Sequence, residues 1–156
     1  MKRNRNYLAN KNITIYDTAG NAVDPNNWNE NKPNNYRYVQ SPGSDNSLGL
    51  MKILFPNNHS VYLHDTPNKA AFNQNMRAVS HGCVRVEDPL ALAQALFGKG
   101  ATFDGIKKAM QDGYPQAKDI ALSNKVPVYL SYLTCWQDAA GNLQYRKDIY
   151  GLDLVL

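Results

Sequence analysis

Apolar and polar residues alternate in short runs over much of this chain, the spacing of strands more than of helices. Leu50-Met51-Lys52-Ile53-Leu54-Phe55 and Ser60-Val61-Tyr62-Leu63-His64 flank a Pro56-Asn57-Asn58 turn and predict a β-hairpin. Side chains alternate across a strand, so Val61 and Leu63 share one face of the second run and Tyr62 and His64 the other, more polar one. Cys83-Val84-Arg85-Val86 predicts a further short strand, with Val84 and Val86 toward the core and Cys83 and Arg85 together on the opposite face. Ile13 to Tyr16 predicts a strand closed by a turn at Ala19-Gly20-Asn21. Val126 to Trp136, a turn at Ala139-Ala140-Gly141-Asn142 and a return through Leu143 to Tyr150 predict a second hairpin. The Asn- and Pro-rich stretch from Asp24 to Asn35, with Trp28 inside it, reads as an ordered loop.

Helical spacing follows the Cys83 strand. Asp88 is a capping residue and Pro89 suits a first turn, and Leu90, Ala93, Leu96 and Phe97 form an apolar stripe stopped by Gly98 and Gly100. Phe103, Ile106 and Met110 place a second helix over Thr102 to about Gln111, and one helical turn is expected near Lys69-Ala70-Ala71-Phe72. The fold class is therefore mainly β with two or three helices (α+β), in a single domain covering residues 1–156.

Composition narrows the function classes. With 43% hydrophobic residues the chain is not a disordered segment, and no apolar run approaches the roughly 20 residues that span a bilayer. Met1-Lys2-Arg3-Asn4-Arg5 is basic, but no apolar core follows, so no signal peptide is read here. An export signal for a protein of the periplasm or cell envelope would lie outside this sequence. The net charge of +4 is scattered, which fits a solvated surface and not a nucleic-acid footprint. The two cysteines, Cys83 and Cys135, exclude a disulfide scaffold. Cys135, between Thr134 and Trp136, reads as a small buried hydrophobe.

The chemistry concentrates between His64 and Arg85. Fifteen residues, Asp65 to Val79, separate His64 from Ser80-His81-Gly82-Cys83-Val84-Arg85. A thiol attacks as thiolate, and an imidazole can take its proton at neutral pH. Gly82 permits close backbone approach, and N–H groups around Gly82 and Cys83 could face a developing oxyanion. His59 belongs to a turn. The spacing of His59, His64, His81 and Cys83 matches no zinc signature, so no metal is expected.

This segment resembles the signature of the YkuD-type L,D-transpeptidases: a His, about fifteen residues, Ser or Thr, His-Gly-Cys, an apolar residue, then Asn or Arg. Gln40-Ser41-Pro42-Gly43, Asn46-Ser47-Leu48-Gly49, Tyr62-Leu63-His64-Asp65-Thr66-Pro67 and Arg146-Lys147-Asp148-Ile149-Tyr150-Gly151 are similar to its larger Gram-negative, YcbB-like branch. The resemblance implies a β-sandwich, here incomplete at the N-terminus, with Cys83 as nucleophile and His64 as base. It further implies that a backbone carbonyl at Asp65 orients the base and that His81 and Gly82 line the site. Arg85, Arg77, Ser80 and Asp65 are the candidate substrate-side residues, with the Arg85 guanidinium suited to a stem-peptide carboxylate. The implied substrates are peptidoglycan stem peptides of the meso-diaminopimelate type. The acyl group, held on the cysteine, would pass to a second stem as a 3→3 cross-link or to a lipoprotein lysine. No cofactor is implied, nor any nucleic acid, and a monomer is expected. Thiol–imidazole chemistry alone also permits a cysteine peptidase or amidase of the cell wall, and a truncated, non-catalytic wall-binding remnant is a third reading.

Overall fold

The computed structural model describes residues 6–80, 82–113 and 117–153. The chain divides into two compact units, Met1–Lys125 and Val126–Leu156. Among the described residues, eight strands form three small sheets, accompanied by three α-helices, so the mainly β, α+β reading holds.

In the first unit, β1 (Ile13–Tyr16) lies between β2 (Ala22–Val23) and β3 (Arg37–Gln40), antiparallel to both. A one-turn helix, α1 (Asn6–Asn10), precedes this sheet. The β1–β2 turn forms because the Asp17 carboxylate accepts the N–H of Asn21 at 2.8 Å. Ile15, in the central strand, is 1% exposed. Trp28 anchors the expected loop: its ring is buried, packs edge-on against Tyr38 and donates to the Tyr38 hydroxyl at 2.9 Å. The N–H thus has a partner, as a buried indole requires.

The second sheet holds the candidate residues His64 and Arg85. β4 (Lys52–Leu54) and β5 (Tyr62–His64) form the expected antiparallel hairpin, with Lys52 opposite His64 and Leu54 opposite Tyr62. Asn57 builds the turn, because its side-chain oxygen accepts the N–H groups of His59 and Val61 while its amide donates to the carbonyls of Phe55 and Val61. A crossover containing a 3₁₀ helix, Lys69–Asn73, leads to β6 (Val84–Arg85), which pairs in parallel with β5. The 3₁₀ helix is the helical turn expected near Lys69. Val84 is 38% exposed, in contrast to the core position that strand alternation suggested.

α2 (Pro89–Phe97) starts where the sequence places it. The Asp88 side chain accepts the Ala91 N–H at 2.9 Å, Pro89 occupies the first turn, and Gly98 ends the helix at φ +72°. α2 packs against α3 (Ala101–Asp112), with Ala93 and Ile106 buried.

The second unit holds one short hairpin, β7 (Cys135–Gln137) with β8 (Leu143–Tyr145). The long strand expected from Val126 is realised only at its end. Val126, Val128, Tyr129, Leu130 and Leu133 lie outside any strand and are largely exposed. Cys135 is exposed and unbridged, not buried, because a two-stranded ribbon leaves side chains open on its faces. Tyr132 and Asp148 tie the unit together: the phenol donates to the carboxylate at 2.6 Å and accepts the Ile149 N–H at 2.8 Å.

Candidate active site

The parallel pairing of β5 with β6 decides which side chains meet. Leu63 lies opposite Val84 and His64 opposite Arg85. Extending that register by one residue puts Cys83 opposite Tyr62. Tyr62, His64, Cys83 and Arg85 therefore emerge on one face, as strand alternation predicted, and Lys52 joins them from β4. The pKa of the Tyr62 phenol is raised, first by burial and then by the neighbouring Cys83 thiol. The Tyr62 and His64 rings meet edge-on at 5.9 Å, and the Lys52 ammonium sits 5.2 Å from the Tyr62 ring centroid. The tyrosine thus packs against the imidazole and neighbours the thiol.

His64 is 6% exposed and is held by its neighbour. Its Nδ1 faces the Asp65 carbonyl oxygen in a short hydrogen bond. A carbonyl can only accept, so Nδ1 carries a proton, and in the neutral imidazole Nε2 keeps its lone pair. That is the tautomer a proton acceptor requires. The strand backbone fixes the same residue, because the His64 carbonyl accepts the Val86 N–H at 2.8 Å.

Asp65 is buried too, and its carboxylate is fully engaged. It accepts the Leu50 N–H at 2.9 Å and the Lys69 ammonium at 2.8 Å. Burial pushes this carboxyl upward, but Lys69 and the N–H groups of Leu50 and Thr66 outweigh it and hold the pKa below its usual value. Lys69 also donates to the Glu87 carbonyl at 2.6 Å and the Val86 carbonyl at 3.4 Å. Gly49 presses on the other side of Asp65. At φ +63°, a Cβ there would lie 2.5 Å from the Asp65 Cγ.

The remaining candidates are placed unevenly. Cys83 is half-buried and unbridged. Gly82 is exposed at φ +148°, a conformation open to glycine. Arg85 is half-buried, and its buried Nε has no hydrogen-bond partner among the described residues. Arg77 and Ser80 are exposed, and Arg77 bonds the nearby Gln74 carbonyl at 2.9 Å. His81 lies outside the described residues. His59 is exposed in the hairpin turn. Among the described residues no cluster of His, Cys, Asp and Glu could hold a metal ion. An open hollow of about 320 Å³ lies elsewhere, lined by residues including Asp17, Asn35 and Arg37, and holds no candidate residue.

Sequence reasoning missed Lys69 and Gly49 and gave Tyr62 no role. Tyr62 was within reach, since it shares a face with His64. Gly49 and Lys69 act on the site through contacts that no local pattern encodes.

Comparison with known proteins agrees with this geometry. The model of the YkuD L,D-transpeptidase catalytic domain matches residues 2–101. A curated Haemophilus influenzae protein, provisionally named as an L,D-transpeptidase, is 38% identical over 98% of this chain. The match covers 31% of that protein, so the chain spans about a third of its length. With the family match covering most of the chain and enclosing Cys83, His64 and their shared face, this protein belongs to the YkuD family of L,D-transpeptidase catalytic domains.

Proposed function

We propose that the chain is a single catalytic domain that transfers the acyl group of a peptidoglycan stem tetrapeptide through a thioester on Cys83. The observation that carries this reading is the register of β5 and β6, which puts His64 on the strand face of Cys83 while its Nδ1 is engaged by the Asp65 carbonyl. His64 takes the thiol proton as sulfur attacks the carbonyl of the third stem residue. The C–N bond to the terminal D-Ala breaks, and His64 returns the proton to the departing nitrogen. An incoming amine then loses a proton to His64, attacks the thioester and forms the new amide, and the proton returns to sulfur. Atoms balance with no cofactor.

Two further groups suit the chemistry. The backbone N–H groups around Gly82 and Cys83 supply donors for the oxyanion, with His81 lining the same site. Arg85 offers an unpaired Nε to a stem carboxylate, which would restore its missing partner. Arg77, Ser80 and the Asp65 backbone complete the substrate side. The acceptor amine is that of a second meso-diaminopimelate stem, giving a 3→3 cross-link, or of a lipoprotein lysine. Such an enzyme works in the periplasm or cell envelope. Among the described residues no helix is long and apolar enough to cross a membrane.

The test is the product. Incubation with a tetrapeptide stem and a competing diamino-acid amine should release D-Ala and yield the amine adduct, detected by mass. Hydrolysis alone, with no adduct at saturating amine, would assign a cysteine carboxypeptidase or amidase instead. Sacculus binding without any turnover would assign a wall-binding remnant.

A further inference from the structure

Among the described residues, Lys69 is the one cation shown touching both strand ends beside the candidate nucleophile and base. From the crossover, its ammonium reaches the Asp65 carboxylate just after β5 and the Val86 and Glu87 carbonyls just after β6. Three acceptors for three ammonium protons is full use of the group. Asp65 follows His64 directly and supplies the carbonyl that fixes the His64 ring. Val86 is one residue beyond Arg85 and two beyond Val84, at the end of the strand that begins beside Cys83. The same two ends are joined by the Val86 N–H to the His64 carbonyl. On its far side the Asp65 carboxylate is backed by Gly49 and the Leu50 N–H, so it has no room to swing away from Lys69.

We propose that Lys69 is a positioning residue for His64, acting through Asp65: it clips β5 to β6 and holds the Asp65 peptide where its carbonyl keeps the His64 Nδ1 protonated. The inference rests on the reading of His64 as the base, but its structural half does not. Without the clip the Asp65 side chain would lose its ion pair with Lys69, and the peptide carrying the orienting carbonyl could rotate. The imidazole would then sample the tautomer with Nε2 protonated, which cannot accept a proton from the thiol.

The experiment compares the unmodified protein with Lys69→Met and Lys69→Arg. Long-range ¹H–¹⁵N spectra report the His64 tautomer, with His64→Gln giving the assignment, and thermal unfolding confirms the fold. The Nδ1–H form is expected in the unmodified protein, a mixture in Lys69→Met, and recovery in Lys69→Arg, which keeps the ion pair. Acylation of Cys83 should slow by about 10- to 100-fold in folded Lys69→Met and recover in Lys69→Arg. A folded Lys69→Met with an unchanged tautomer overturns the proposal. If Lys69→Met does not fold, Lys69→Gln decides by the same criterion, since it retains donors for carbonyls and loses only the charge. A tautomer that shifts as expected in a protein with no acyl transfer would sink the catalytic reading and leave the clip standing.

Discussion

Gly49→Ala is the sharpest probe of the packing behind Asp65 and His64. Two costs add. An alanine at φ +63° sits in the left-handed region, at about 1–2 kcal/mol. Its Cβ would also lie 2.5 Å from the Asp65 Cγ and 2.7 Å from the Asp65 Cβ, far inside contact distance, so the carboxylate must move. Moving it breaks the Leu50 N–H bond to a buried charge, a further cost of about 1.5–3 kcal/mol. The Lys69 pair adds little to this sum, because Lys69 is 47% exposed. The total is about 3–5 kcal/mol, a large share of a typical domain's stability. Gly20→Ala is the control: φ is +87° there and nothing lies within 4 Å of the new Cβ. Urea unfolding should give about 1–2 kcal/mol for Gly20→Ala and about 2 kcal/mol more for Gly49→Ala. On an Asp65→Ala background the extra cost of Gly49→Ala should fall, since the carboxylate and its Leu50 bond are gone and only the contact with the residue-65 Cβ remains. Equal costs at the two glycines would refute the close approach of Gly49 to Asp65.

Other outcomes follow from the same geometry. His64→Gln should slow acylation of Cys83 by about 10²- to 10⁴-fold without loss of fold, measured by stopped-flow with a thiol-reactive substrate; an unchanged rate would remove His64 from the chemistry. Asp88→Ala should cost about 1 kcal/mol in urea unfolding, because the Ala91 N–H loses its acceptor; no loss would deny the cap. Asp148 is held down to about 2 by the Tyr132 hydroxyl and by N–H groups led by that of Asp153. A depressed carboxylate stabilises the fold above its unfolded pKa of about 3.9, and that contribution fades as pH falls toward about 2. The amide resonances of Ile149 and Asp153 should therefore titrate with a midpoint near 2; a midpoint near 4 would contradict the network.

What the sequence revealed was local. The β4–β5 hairpin follows from alternation around Asn57, and α2 from Asp88 and Pro89, because each depends on residues a few positions apart. That Tyr62 shares a face with His64, and Cys83 with Arg85, follows from parity within each strand, whereas the meeting of the two pairs needs the register. The parallel pairing of β5 with β6 was not legible, since it joins residues about twenty positions apart through a crossover. For the same reason Lys69 on Glu87 and Gly49 on Asp65 escaped notice: a long side chain and a missing one act across loops. Residues 126–133 have strand-forming composition, but a strand needs a partner, and the described pairing begins only at Cys135. The polar N-terminal stretch concealed α1 and β3, the latter recruited by β1.

The most direct test of the account is acylation by a carbapenem, read by intact mass and peptide mapping on folded protein. A single adduct should form on the peptide containing Cys83, vanish in Cys83→Ala and persist in Cys135→Ala. Folded protein that takes no adduct, or takes it on Cys135, would contradict the assignment of Cys83 as nucleophile.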